Sequence, residues 1–480
     1  IQDMKTNASL GSEEVKGTGE QSLFAMIDEL KTRIKARFGQ SGPESLAEKR
    51  LNIGRITTSS PEAFKLYLEG RNFHHRGDYV RAVSLLEDAI KIDPGFAMAY
   101  RGLCVASGGL DEAKSMASIK KAVELSGRVS EREKDLIQLT FFNRSEETYS
   151  QAFELADRML KLDPNDLFVH SYLGGTYHNL EDWEKTVYHG EICRKEKSDH
   201  WGDYVGLGTA YAKLGRYDKA REAILAYVPI GGDSAQIHAY LASYYTYEGK
   251  YGEALAEADK AIALNPRSYG KSAIWFLQGE WDKTEKEIQR FLAMPEPDYQ
   301  LSARYWLEFF YRAQGKFRQA LEQARLRYEL AKKQNSAVTM SYSQGQAIYD
   351  LMLLGDYAQA LNESRSLREF VDKGNLSPPT TFWPRALGCL MAVGQKDFPT
   401  AQKMADEFRN MADAHLTTKK TVRYADAFQG IIEIERGNYR QAVSDIEKAL
   451  TLWPAQADMP DNQSLPVYHL GVAHFRAGNM

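Results

Sequence analysis
The stretch PEAFKLYLEGRNFHHRGDYVRAVSLLEDAIKIDPGF, residues 61–96, decides the fold. From about Glu62 to His75 it reads as an apolar-striped helix, and Gly77 marks the tight turn that ends it. A second helix follows with Ala82, Leu86 and Ala89 on one stripe, until Pro94 stops it. The hexapeptide at its centre, GDYVRA, has the form Gly-x-aromatic-x-x-small, and it recurs. GRYDKA starts at Gly215, GKYGEA at Gly249, GEWDKT at Gly279, GKFRQA at Gly315, GDYAQA at Gly355 and GNYRQA at Gly437. Degenerate copies centre on Tyr149, Trp183 and Phe398. The aromatics Tyr149, Trp183, Tyr217 and Tyr251 are spaced by 34 residues, then by 30 to Trp281 and 36 to Phe317. The remaining copies follow at steps of about 40.

Working outward, Pro94, Pro164, Pro266 and Pro454 each lie 12 residues beyond a small residue of the hexapeptide, Ala82, Ala152, Ala254 and Ala442. These alanines let two helices approach closely, and Gly70, Gly174, Gly208 and Gly430 do the same from the first helix of each pair. A pair of this size cannot bury its apolar face alone, so pairs must stack. Turn glycine, aromatic, alanine and terminal proline recurring in register resemble the tetratricopeptide repeat. The resemblance covers residues 61–480 and includes a degenerate unit, Ala97 to Leu125, reading GLDEAK at Gly109. It implies an all-α, right-handed superhelical solenoid of about eleven helix pairs. Residues 61–295 form the near-34-residue part, and 296–480 carry longer repeats with the last one incomplete. Inserts such as GNLSPPTTFWP, Gly374 to Pro384, are expected to bend the array or add a lid.

Both ends read as parts of something longer. PVYHLGVAHFRAGNM at the C-terminus repeats the first-helix pattern, with Leu470, Gly471 and Gly478 in register. At the other end, Ile1 to Gly19 read as two strand-like pieces around a turn at Asn7. SLFAMIDELKTRIKARFG, Ser22 to Gly39, reads as an amphipathic helix. Residues 1–40 resemble the tail of the TolB-like α/β domain that precedes tetratricopeptide repeats in bacterial multidomain signalling proteins. Residues 41–60 form a linker, and Ser59 or Ser60 caps the helix opened by Pro61. RVSEREKDL near Glu131 adds to this bacterial resemblance.

Composition narrows the function. Among 480 residues, 61 basic and 65 acidic side chains give a net charge of −4, too balanced for a phosphate-seeking basic field. Nucleic acid is therefore not an expected partner. No apolar run is long enough to span a bilayer. Cys104, Cys193 and Cys389 are too scattered for a disulfide framework or metal-ligand spacing. Phosphate loops, HExxH and nucleophile elbows are missing, and His74-His75 point to different helix faces. No catalytic residue, cofactor or metal is expected, and the chain reads as a non-enzyme.

The expected business end is the groove, which in tetratricopeptide arrays is lined by the first helix of each pair. The resemblance places Phe64, Tyr67, Arg71 and His74 there, then Gly175 and His178, Ser243 and Thr246, and Tyr305, Phe309 and Arg312. Aromatics interleaved with arginine suit recognition of a protein or peptide. The two-carboxylate clamp of chaperone-binding members wants Lys and Asn where Tyr67 and Arg71 stand, so a chaperone tail fits poorly. Asn-x-Ser sequons at Asn7, Asn143, Asn362, Asn375 and Asn462 are candidate glycosylation sites. Two readings follow: a protein-binding scaffold within a larger bacterial protein, or a subunit that assembles head to tail into an extracellular, glycan-bearing fibre.

Overall fold
The computed structural model describes residues 13–16, 26, 29–30, 33, 58 and 60–478, apart from 109, 145–147, 269–270, 375–377, 415–417 and 453–460. The helices run in chain order. They are α1 (Pro61–His75), α2 (Tyr79–Ile92), α3 (Ala97–Ser107), α4 (Glu112–Leu125), α5 (Glu131–Phe142), α6 (Tyr149–Leu162), α7 (Leu167–Asn179) and α8 (Trp183–Lys195). Next come α9 (Trp201–Lys213), α10 (Tyr217–Leu225), the one-turn α11 (Val228–Gly231), α12 (Ala235–Tyr247), α13 (Tyr251–Leu264), α14 (Lys271–Leu277), α15 (Trp281–Leu292) and α16 (Pro297–Ala313). The last are α17 (Phe317–Lys333), α18 (Ala337–Leu353), α19 (Tyr357–Gly374), α20 (Pro378–Gly394), α21 (Phe398–Ala414), α22 (Thr418–Arg436), α23 (Tyr439–Thr451) and α24 (Asp461–Arg476). With α11 set aside, the described helices make eleven consecutive pairs, α1/α2 through α22/α23, followed by α24. The array is all-helical, as its repeat pattern requires.

Each hexapeptide aromatic is the first residue of a second helix, from Tyr79 in α2 to Tyr439 in α23. Two residues earlier the backbone turns through positive φ, at 80° for Gly77 and 85° for Gly437. The hexapeptide alanines pack at the helix crossing: Ala82, Ala254, Ala320, Ala360 and Ala442 are all 0% exposed. Across from Ala82, a Cβ on Gly70 would sit 2.9 Å from Leu86 Cγ and 3.3 Å from the Ala82 carbonyl oxygen. Ser60 caps α1 through its Oγ, which accepts from Ala63 N at 3.2 Å. At the ends of second helices, Asp93, Asp163 and Asn265 precede a proline and take extended backbone.

The described residues belong to two compact units. One comprises residues up to Leu207 with Ala226–Gly232, and the other Gly208–Leu225 with Asp233 onward. In the first, α1 to α8 stack in order, with α1 also against α3 and α3 against α5. Its cores centre on Leu86, Phe96, Ile119 and Ile137, then on Leu155, Met159 and Val169. In the second unit α12 to α24 stack likewise, around small successive cores such as Ile288–Phe310 and Phe408–Ile432. Among the described residues no single core serves a whole unit, which is how stacked pairs bury apolar surface.

The N-terminal expectations fare differently. Residues 13–16 are neither strand nor helix, so no strand is found among the described residues there. The rest of the expected strand pieces, with Asn7, lies outside the described residues. Residues 26, 29, 30 and 33 are helical, as expected of Ser22–Gly39. The insert GNLSPPTTFWP does not form a separate lid in its described part, because from Pro378 onward it is the start of α20. No described helix is long and apolar enough to cross a membrane.

Candidate functional site
On α1, Tyr67 is buried, with its ring 5.0 Å from Phe96 and 6.2 Å from Phe64. Arg71, one turn on, is exposed and lays its guanidinium 5.9 Å over the Tyr67 ring. His74 follows a further turn along, half-buried and stacked on His200 at 5.3 Å, with Tyr79 at 5.5 Å. Burial, then the neighbouring His200 and His75, lower its pKa to about 3, so its ring is neutral at neutral pH. Tyr67, Arg71 and His74 are thus brought together on one face. His178 instead meets Trp183 edge-to-face at 5.3 Å, while Gly175 opens onto free space.

Two residues that the sequence did not single out, Arg101 and His200, complete this face. Arg101 of α3 is only 8% exposed. Its Nε donates to Thr140 Oγ1 at 3.0 Å and to the Leu136 carbonyl at 3.3 Å, and its guanidinium lies 4.3 Å over Phe168. His200 precedes α9 and faces Asp203 at 3.2 Å, while His75 faces Asp199 at 3.1 Å. Burial pushes the Asp203 carboxyl up, but hydrogen bonds from His200, Ser171 and Ser198 outweigh it and hold the group below its ordinary value. Where Arg101 stands before packing Gly102, Leu173 and Leu207 precede Gly174 and Gly208. A charge in a leucine's place was the signal that could have found it.

The second unit brings Tyr305, Phe309 and Arg312 together on α16. Phe309 is 5.9 Å from Tyr305, and Arg312 lies 5.8 Å over Phe309. Arg312 is committed internally, donating to Glu308 at 2.6 Å, Asp350 at 2.9 Å and Gln346 at 3.0 Å. Glu308 and Asp350 are both 0% exposed. Burial pushes Glu308 up to about 8 and Asp350 in the same direction, and Arg312 offsets this only in part. Arg327 covers Tyr305 at 4.9 Å. Ser243 and Thr246 spend their hydroxyls on their own helix, donating to the Ala239 and Ala242 carbonyls. Among the described residues, no group of three His, Cys, Asp or Glu side chains is placed to hold a metal.

The repeating geometry agrees with the sequence comparisons. The tetratricopeptide repeat family profile matches residues 204–228. That stretch is similar to a tetratricopeptide repeat. The chain is 24% identical over 150 residues to anaphase-promoting complex subunit 3 of Schizosaccharomyces pombe, covering 30% of this chain and 23% of that one. It is 23% identical over 241 residues to superkiller protein 3 of the same organism, covering 46% of this chain and 17% of that one. The matched region therefore spans less than a quarter of either relative's length. Among solved structures, yeast Tom70 is similar, with 12% identity, coverage of 87% of this chain and 96% of that one, and a TM-score of 0.41.

Of the sequons, Asn143 caps α5 and its side-chain oxygen accepts from Thr176 Oγ1 at 2.9 Å, while Asn362 is exposed within α19. Asn375 lies outside the described residues, and Asn462 is described only as part of α24.

Proposed function
We propose that the chain is a non-enzymatic scaffold that holds a protein or peptide segment against the faces of its first helices. The tetratricopeptide fold is consistent with protein–protein interaction. The observation that supports this site is the exposed Arg71 guanidinium laid over the buried Tyr67 ring. An aromatic floor beneath a charged donor offers the amphipathic contact that hot spots use. His178 extends the proposed contacts in the first unit, and Tyr305 and Phe309, with Arg312 as their internal brace, form a separate proposed set in the second.

The experiment is a peptide-library screen on the purified chain, repeated with Arg71→Ala and Tyr305→Ala. Retained peptides should lose about tenfold or more in affinity in at least one variant, the scale of a hot-spot truncation. Retention unchanged in both variants would remove the proposed site. We place the scaffold in a larger bacterial signalling protein on the strength of the resemblances carried by residues 1–40 and by RVSEREKDL near Glu131.

A second reading, self-association, is favoured by α24, where Val467, Tyr468 and Phe475 are 51%, 67% and 69% exposed. Apolar surface of that kind suits heterologous contact between copies, including a fibre. Sedimentation velocity over a concentration series, with Phe475→Ser as control, decides it.

A further inference from the structure
Arg101 carries a charge that its surroundings do not balance. A guanidinium keeps its proton in any protein environment, so a buried one calls for an anion. The Nε of Arg101 is satisfied by Thr140 Oγ1 and the Leu136 carbonyl, and Phe168 supplies a ring face. Among the described residues, however, no carboxylate pairs with Arg101 or with Arg71. Arg71 and Tyr67 are among the groups that act on Arg101, which in turn acts on His74, and a Cβ at the adjacent Gly102 would lie 3.6 Å from the Tyr67 ring that Arg71 covers, so both guanidiniums belong to this face. Nearby acids are engaged elsewhere, with Asp199 facing His75 and Asp203 accepting from Ser171, Ser198 and His200.

The count of charge selects the ligand. Two guanidiniums present two positive charges with no carboxylate paired to them among the described residues, and a single carboxylate would leave one of them unmatched. A phosphoryl monoester carries close to two negative charges at neutral pH, and its oxygens fit the guanidinium fork. Access is from the Arg71 side, because Arg71 is exposed and Arg101 keeps only 8% of its surface in contact with solvent. We infer that Arg71 and Arg101, with the His74 ring at their edge, form a binding site for a dianionic phosphoryl group carried by a peptide. The phosphoryl chemistry stands on the two arginines, while the peptide as carrier rests on the scaffold reading above.

The test uses the full chain, with inorganic phosphate against acetate at matched ionic strength, and a phosphoserine peptide beside its unmodified and glutamate twins. Phosphate, and not acetate, should raise the melting temperature and shift the His74 ring resonances. The phosphoserine peptide should bind at least about tenfold more tightly than either twin. Arg71→Met, at an exposed position, should erase both differences while leaving the circular dichroism spectrum unchanged, and Arg101→Met should do the same if it folds. Equal effects of phosphate and acetate, or wild-type behaviour in Arg71→Met, overturn the site. Inorganic phosphate binding that depends on Arg71, without any peptide binding, keeps the site and removes its peptide carrier. Peptide binding indifferent to phosphate keeps the scaffold and removes the site.

Discussion
The turn between the helices of a pair needs one residue at positive φ. Glycine supplies it at Gly77, Gly249 and Gly355, but in the degenerate copies Glu181 and Lys396 stand there, at 56° and 59°. An L side chain in that region costs about 1–2 kcal/mol. Part of that gain is returned through glycine's freer unfolded state, so Glu181→Gly and Lys396→Gly should each stabilise by about 0.5–1 kcal/mol. Urea unfolding checks this, and a loss of stability would refute it. The packing glycines separate in the same way. Gly70→Ala forces a Cβ to 2.9 Å from Leu86 Cγ and should destabilise by about 1–3 kcal/mol. At Gly174 the nearest atom is His189 Cβ at 3.7 Å, an ordinary contact. Gly174→Ala should therefore gain about 0.5–1 kcal/mol of helix propensity. His74 sets an acid limit: its folded pKa of about 3 lies below the ordinary 6.5. Between those values the unfolded chain binds the extra proton, so stability is full above about 6.5 and falls as pH drops toward 3. His189, lowered to about 4 by burial and then His170, acts in the same sense. Melting temperature against pH should lose part of this slope in His74→Gln; an unchanged slope would exclude His74 as a source.

Within an element, the residue between turn glycine and aromatic decides how the second helix starts. Where it is aspartate it caps: Asp78 accepts from Arg81 N at 3.2 Å and Asp356 from Gln359 N at 3.1 Å. Lys316 holds the corresponding place before α17 with no side-chain cap. Lys316→Asp should add about 0.5–1 kcal/mol, from the cap and from a negative charge at the helix start. Equal or lower stability in chemical denaturation would count against it. The ends of second helices repeat another local device. Asp93 Oδ1 accepts from Gly95 N, Asp163 Oδ1 from Asn165 N and Asn265 Oδ1 from Arg267 N, each spanning the proline between. These signals act within a few residues, so the starts and stops of the helices were legible in sequence. Glu308 was not: it stands in the place that Gly70 holds in the first repeat, seven residues before the turn glycine Gly315. Its partner Arg312 is one helical turn away, but Asp350 belongs to the next pair.

For the molecule as a whole, stability is distributed over many small cores. Truncating one core should loosen its neighbours and leave distant pairs of the same unit intact. Ile432→Ala, at a fully buried position of α22, should cost about 2–4 kcal/mol locally. Hydrogen exchange should then rise in α20 to α23 while α16 and α17 keep their protection; uniform loss through the second unit would contradict this. The sequence by itself determined the helix pairs, because turn glycine, aromatic, alanine and proline all act within one repeat length. Tertiary structure alone decided which polar groups meet, setting His200 against His74 and placing Arg101 and Arg71 on one face with no paired carboxylate among the described residues. Those meetings depend on the small rotation from each pair to the next, summed over several repeats, which no single repeat encodes.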